Sequence, residues 1–120
     1  LLLKRISYMF FFFLNNINQL AEIDELSKRK KQIIFKHSTR CSVSAFAKKV
    51  LLSEFSDDME KVFDVYYLDL LNYRELSNKI ASRYSVHHES PQILIISDGN
   101  CIYDASHDYV SLTSAFASVN

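Results

Sequence analysis

A chain of 120 residues, 48% hydrophobic and 23% charged, is long enough for one buried core and has the makeup of an ordinary globular domain. Its 14 basic and 14 acidic residues cancel, which removes broad electrostatic capture of nucleic acid from the classes to consider. Cys41 and Cys101, far apart in the chain, do not make a disulfide framework, and a reducing cytoplasm is the simplest compartment for them.

The opening "LLLKRISYMFFFFL" sets Lys4 and Arg5 before an apolar run and so imitates a secretory signal. However, "NNINQLAEI" follows without a small-x-small cleavage site, and the run is too short to cross a bilayer as a helix. We expect a poorly ordered tail over residues 1–9 and a single domain over 10–120, with a first strand near Phe10–Leu14. Asn15 and Asn16 offer N-caps for a helix over Ile17–Lys30, whose apolar face is Ile17, Leu20, Ile23 and Leu26. "QIIFKH" reads as a short buried strand.

"CSVSAFAKKVLLSEF" places Val43, Phe46, Ala47, Val50 and Leu51 at the spacing of one helix face. "VFDVYYLDL" is strand-like, and "NYRELSNKIASRY" returns to helical spacing through Tyr73, Leu76, Ile80 and Tyr84, with Asn72 as its cap. In "QILIISDGNCIYDAS" two β-prone runs flank Asp98-Gly99, a turn pair that tolerates positive φ, so the segment is a hairpin. Ser111 caps a last helix, with Val110 and Ala115 placed as a hydrophobic staple. The order β-α-β-α-β-α-β-β-α predicts an α/β domain with a mixed central sheet flanked by helices, the order of the thioredoxin-like fold.

Chemistry concentrates where "QIIFKH" ends. Cys41 stands at the mouth of a helix, where unpaired N–H groups and the helix dipole favour the thiolate. Lys36, His37 and Arg40 are close in sequence and are expected to add positive charge. Ser44, about one helical turn on, offers a hydroxyl to the sulfur but cannot resolve a mixed disulfide, so Cys-x-x-Ser predicts monothiol exchange. Pro91 precedes a predicted strand. X-Pro bonds are cis in only about 5–6% of cases, so the residues alone do not make Ser90–Pro91 cis, whereas a thioredoxin-like fold does.

Other clusters fail as sites. His87-His88-Glu89 lacks the spacing of a metal-ligand set, and we expect no metal. Ser106-His107-Asp108 holds the residue types of a hydrolase triad, but consecutive side chains rarely converge on one reacting centre. Cys101 falls on the last hairpin strand, where a small buried hydrophobe is the expected role.

Taken together, "IIFKHSTRCSVSAFA", "YYLDLLNYRELSNKIA", "HESPQILII" and "DASH" resemble successive motifs of the YtxJ-type bacilliredoxin family, over about Gln32 to Phe116. These are thioredoxin-like monothiol proteins of the bacillithiol system. The resemblance implies that Cys41 is the redox cysteine and Ser90-Pro91 the cis-proline element beside it. The substrate site would then draw on Lys36, His37, Thr39, Arg40, Ser90 and Pro91. It also implies no bound cofactor, bacillithiol as small-thiol co-substrate, and S-bacillithiolated proteins as partners of a monomer that meets neither nucleic acid nor membrane. Ser42 stands where family members often carry Pro, and Phe residues stand near the first strand where they often carry Trp. Two other readings stay open: a thioredoxin-like adaptor that binds partners at a Cys41–Pro91 groove without turnover, and a dithiol enzyme that uses Cys101.

Overall fold

The computed structural model describes residues 11–38, 40 and 42–120, apart from the side chains of Val43 and Ser44. The expected tail over residues 1–9 lies outside them. The elements are β1 (Phe11–Phe13), α1 (Gln19–Leu26), β2 (Lys31–His37), α2 (Ser42–Glu54), α3 (Asp57–Val62), β3 (Phe63–Asp69), α4 (Arg74–Tyr84), β4 (Gln92–Ser97), β5 (Asn100–Ser106) and α5 (Leu112–Ser118). A short 3₁₀ turn over His107–Tyr109 precedes α5. This is the expected order with one addition, α3. Its signal is local: the Ser56 hydroxyl accepts from the Met59 N–H, and Asp57, Asp58 and Glu60 crowd the first turn, where the helix dipole favours acids.

The five strands lie in the order β1-β3-β2-β4-β5. The pairs β1–β3 and β3–β2 are parallel, and β2–β4 and β4–β5 are antiparallel. Side chains of β2 alternate between two cores. Ile33 and Phe35 face Ala47 and Leu51 of α2, Met59 of α3, and Leu112 and Ala115 of α5. Ile34 faces Leu20 and Ile23 of α1 and Leu76, Ile80 and Tyr84 of α4. Because both faces are covered, β2 does not alternate buried with exposed residues, and its polar Gln32, Lys36 and His37 are buried along with Ile33, Ile34 and Phe35.

Local details follow the residues. Asp98 and Gly99 both take positive φ, 51° and 78°, as a two-residue hairpin turn with right-handed strand twist demands. The turn docks on the end of α1, where Gly99 N–H donates to the Ser27 hydroxyl over 2.9 Å. Ser111 caps α5 by accepting from the Ser114 N–H, and Val110 and Ala115 are both buried, as the staple requires.

Three expectations shift. Helix α1 is shorter than Ile17–Lys30, because Asn16 and Gln19 spend their side chains on the N–H groups of Asn15, Asn16 and Asn18 just ahead of it. Tyr73, not Asn72, occupies the N-cap of α4, while the Asn72 amide donates to the Asp69 carboxylate. Phe46 does not join the buried face of α2: the face turned to the sheet centres on Ala47 and Leu51, and Phe46 is 69% exposed.

Candidate active site

The site is assembled at the end of the sheet where β2 stops and α2 starts. Parallel strands β1, β2 and β3 all point their carboxyl ends here, the usual ligand-binding end of an α/β sheet. Strand β4 enters at the same end, since Gln92 pairs with Lys36. The Ser90–Pro91 bond just ahead of it is cis, and the Pro91 carbonyl accepts from the His107 N–H over 2.9 Å. Cys41 and Thr39 lie outside the described residues, as does the side chain of Ser44, whose backbone is in α2. Helix α2 begins one residue after Cys41 and has no acid in its first turn to compete for the positive end of its dipole.

Lys36 and His37 correct the sequence expectation. Period-two alternation sends them to opposite faces of β2. Lys36 is fully buried on the α4 side, where its Nζ donates to the Ser77 carbonyl over 3.2 Å and sits 3.3 Å from His88 Nδ1. Burial drives its pKa down from 10.5 to about 8. It is therefore not a surface contact for substrate, and its charge lies across the sheet from α2. His37 is on the α2 side, but it too is buried, 3% exposed, and among the described residues neither ring nitrogen has a hydrogen-bond partner. Its ring centroid is 4.4 Å from that of Tyr67 and 5.7 Å from that of Phe35. Burial first, and then the like charge of Lys48, lower its pKa to about 4, so it is neutral near pH 7 and supplies no positive charge. Of the three cations expected near the cysteine, Arg40 alone is exposed. Ser90 is half-buried, with its hydroxyl unpartnered among the described residues, and Pro91 is buried beside it.

The residue that sequence reasoning passed over is Lys48. It stands on α2 with its Nζ 4.5 Å from the centroid of the Tyr67 ring. Its only signal in the sequence is spacing: seven residues past Cys41 is two helical turns, hence the same helix face. With Phe13 and Tyr67 it lines two adjoining cavities. One, about 320 Å³, is apolar and runs under β1. The other, about 350 Å³, opens at the carboxyl ends of β1 and β3 toward Asp69, Asn72 and Tyr73.

The remaining candidates have other employment. His88 serves Lys36 and Ser77, and His107 pairs with Glu89 at 3.0 Å. Cys101 pairs with Ile96, which sits opposite Gln32, so it belongs to the end of the sheet away from the β2–α2 junction. It is half-buried, and burial pushes its thiol pKa up, away from the reactive thiolate.

The family model for the monothiol bacilliredoxin BrxC matches residues 13–114. The chain belongs to that family. Among solved structures, it is similar to a chain described as a candidate oxidoreductase with a thioredoxin fold (TM-score 0.81, 26% identity, 95% of this chain and 97% of that one). It also superposes on mitochondrial thioredoxin 3 of Saccharomyces cerevisiae, with a TM-score of 0.65 and 17% identity over 94% of this chain and 96% of that one. For the thioredoxin of Fasciola hepatica the values are 0.68 and 16%, over 90% and 95%. The fold is thus thioredoxin-like, and a bacilliredoxin's thiol redox role fits the end of the sheet described above. Among the described residues, no helix is long and apolar enough to cross a membrane.

Proposed function

We propose that this bacilliredoxin is a monothiol thiol–disulfide oxidoreductase that removes bacillithiol from protein mixed disulfides through Cys41. The observation that carries the reading is the family match over residues 13–114, which spans Cys41, Ser44 and the cis Ser90–Pro91 pair. In the first step the Cys41 thiolate attacks the bacillithiol sulfur of the mixed disulfide. A Cys41–bacillithiol disulfide forms, and the protein thiolate leaves and takes a proton from water. In the second step a free bacillithiol thiolate attacks the bacillithiol sulfur of that adduct, which releases bacillithiol disulfide and restores the Cys41 thiolate. The sum of the two steps consumes one free bacillithiol and converts the protein mixed disulfide into the protein thiol and bacillithiol disulfide.

Ser44 leaves no second thiol one turn away, so the small thiol must act as resolving agent, and Cys101 is at the wrong end of the sheet to replace it. No bound cofactor takes part. The partners are S-bacillithiolated proteins and free bacillithiol, the working form is a monomer, and the compartment is the reducing cytoplasm.

The test is mass spectrometry of the C101A chain exposed to oxidised bacillithiol, followed by turnover on an S-bacillithiolated protein. A single adduct on Cys41, released by free bacillithiol and absent in C41S, is expected. An adduct that never turns over would favour the adaptor reading. A dominant Cys41–Cys101 disulfide in the parent would overturn monothiol chemistry.

A further inference from the structure

The groove at the carboxyl ends of β1 and β3 has a composition that exchange at a sulfur does not require. Lys48 supplies a cation that makes no ion pair among the described residues. Its contact with the face of Tyr67 uses none of its N–H donors in a conventional hydrogen bond. Asp69 is the one acid lining this cavity, and its carboxylate is occupied by its own loop: Oδ1 accepts from the Leu71 N–H and Oδ2 from the Asn72 amide. Asn15 and Asn72 bring amides, and Tyr67 and Tyr73 bring ring faces. At about 350 Å³ the cavity is of small-molecule size rather than of a size for a protein segment. Along α2, Lys48 is six residues from Ser42, about 9 Å at the rise of an α-helix.

We propose that this groove is a subsite for the part of the small thiol remote from its sulfur, with Lys48 holding a carboxylate and the tyrosines and asparagines flanking a sugar ring. The proposal rests on the small-thiol exchange proposed above and adds the determinant that selects the thiol. Bacillithiol has the matching chemistry: its cysteinyl thiol is joined through an amino sugar to malate, which carries two carboxylates. A small thiol without a remote carboxylate would leave Lys48 without its anion.

The test compares thiolation of Cys41 by two oxidised small thiols, bacillithiol disulfide and the disulfide of cysteinyl-glucosamine, which lacks malate. Rates are followed by quenched-flow mass spectrometry in the parent, K48Q and K48R, all in the C101A background. Alkylation of Cys41 by neutral iodoacetamide in each variant corrects for any change in thiolate content, and circular dichroism confirms the fold. With that correction, K48Q should react with bacillithiol disulfide about tenfold more slowly, as the loss of one charge-assisted contact implies. K48R, which keeps the charge, should stay within about threefold of the parent. The malate-free disulfide should react equally with all three. A K48Q rate that is unchanged for bacillithiol disulfide, or equally slowed for both disulfides, overturns the subsite while leaving the redox reading standing. A parent that bacillithiol disulfide does not thiolate at all overturns both.

Discussion

Replacing Lys36 with Met should stabilise the protein at neutral pH and reverse sign in alkali. Lys36 is fully buried, and its ammonium has a carbonyl and an imidazole nitrogen as partners but no carboxylate within ion-pair distance among the described residues. A fall in pKa from 10.5 to about 8 means that holding the charged form in the fold costs about 3 kcal/mol, at roughly 1.4 kcal/mol per unit. Methionine fills the same volume without charge. It forfeits the hydrogen bond to the Ser77 carbonyl, worth about 1 kcal/mol. The net gain at pH 7 is therefore about 2 kcal/mol.

The sign with pH follows from proton counting. Between about 8 and 10.5 the unfolded lysine is protonated and the folded one is not, so the parent's stability rises with pH relative to the variant. At pH 10.5 the folded lysine is neutral and the unfolded one half protonated, so little of the charge cost is left and the variant should be the weaker by about 0.5 kcal/mol, somewhat less than the lost hydrogen bond. Urea unfolding of both proteins at pH 7 and pH 10.5, compared as a difference, cancels the other groups that titrate in that range. A variant less stable than the parent at pH 7 would refute the argument, since it would mean that the buried ammonium is a net gain for the fold.

His37→Phe should flatten the acid limb of stability. The folded imidazole stays neutral down to a pKa of about 4, whereas the unfolded one protonates near 6.5, so the parent loses up to about 1.4 kcal/mol per pH unit between those values; equal slopes in urea titrations of the two proteins would contradict this. Glu54→Ala should cost about 1–2 kcal/mol, because the Glu54 carboxylate accepts from both the Leu112 N–H and the Ser111 hydroxyl at 2.8 Å and ties α2 to the start of α5. Hydrogen exchange should show the extra opening at α5 before the sheet. Gly99→Ala should cost about 1 kcal/mol through backbone alone, since φ is 78° and an added Cβ would meet nothing within 4 Å; a thermal melt unchanged from the parent would refute that.

Elements whose cause lies within a few residues were legible in the chain. The Asp98-Gly99 hairpin, the Ser111 cap with its staple, and the alternation of strands and helices each depend on local spacing and on one or two special residues, and each is where the sequence put it. The likeness of "IIFKHSTRCSVSAFA" and "HESPQILII" to bacilliredoxin motifs was legible for the same reason, because such motifs are contiguous. Helix α3 has a local signal too, in "SDDMEK", but that segment lies between the helix and the strand expected on either side of it and is assigned to neither.

The charge state of the site was not legible. Sequence proximity makes Lys36, His37 and Arg40 one basic cluster, whereas the strand pleat divides the first two between opposite faces. The expected element order puts helices on both faces of the sheet, but it does not say which side chains of β2 each of them buries. Burial against α4 takes the Lys36 charge out of reach, and burial beside Tyr67 and Lys48 removes that of His37. In their place the fold brings in Lys48, twelve positions from Lys36 in the chain but stacked on Tyr67 from a different element. Residue type and local order decided which groups could carry charge; desolvation by layers packed from elsewhere in the chain decided which of them do.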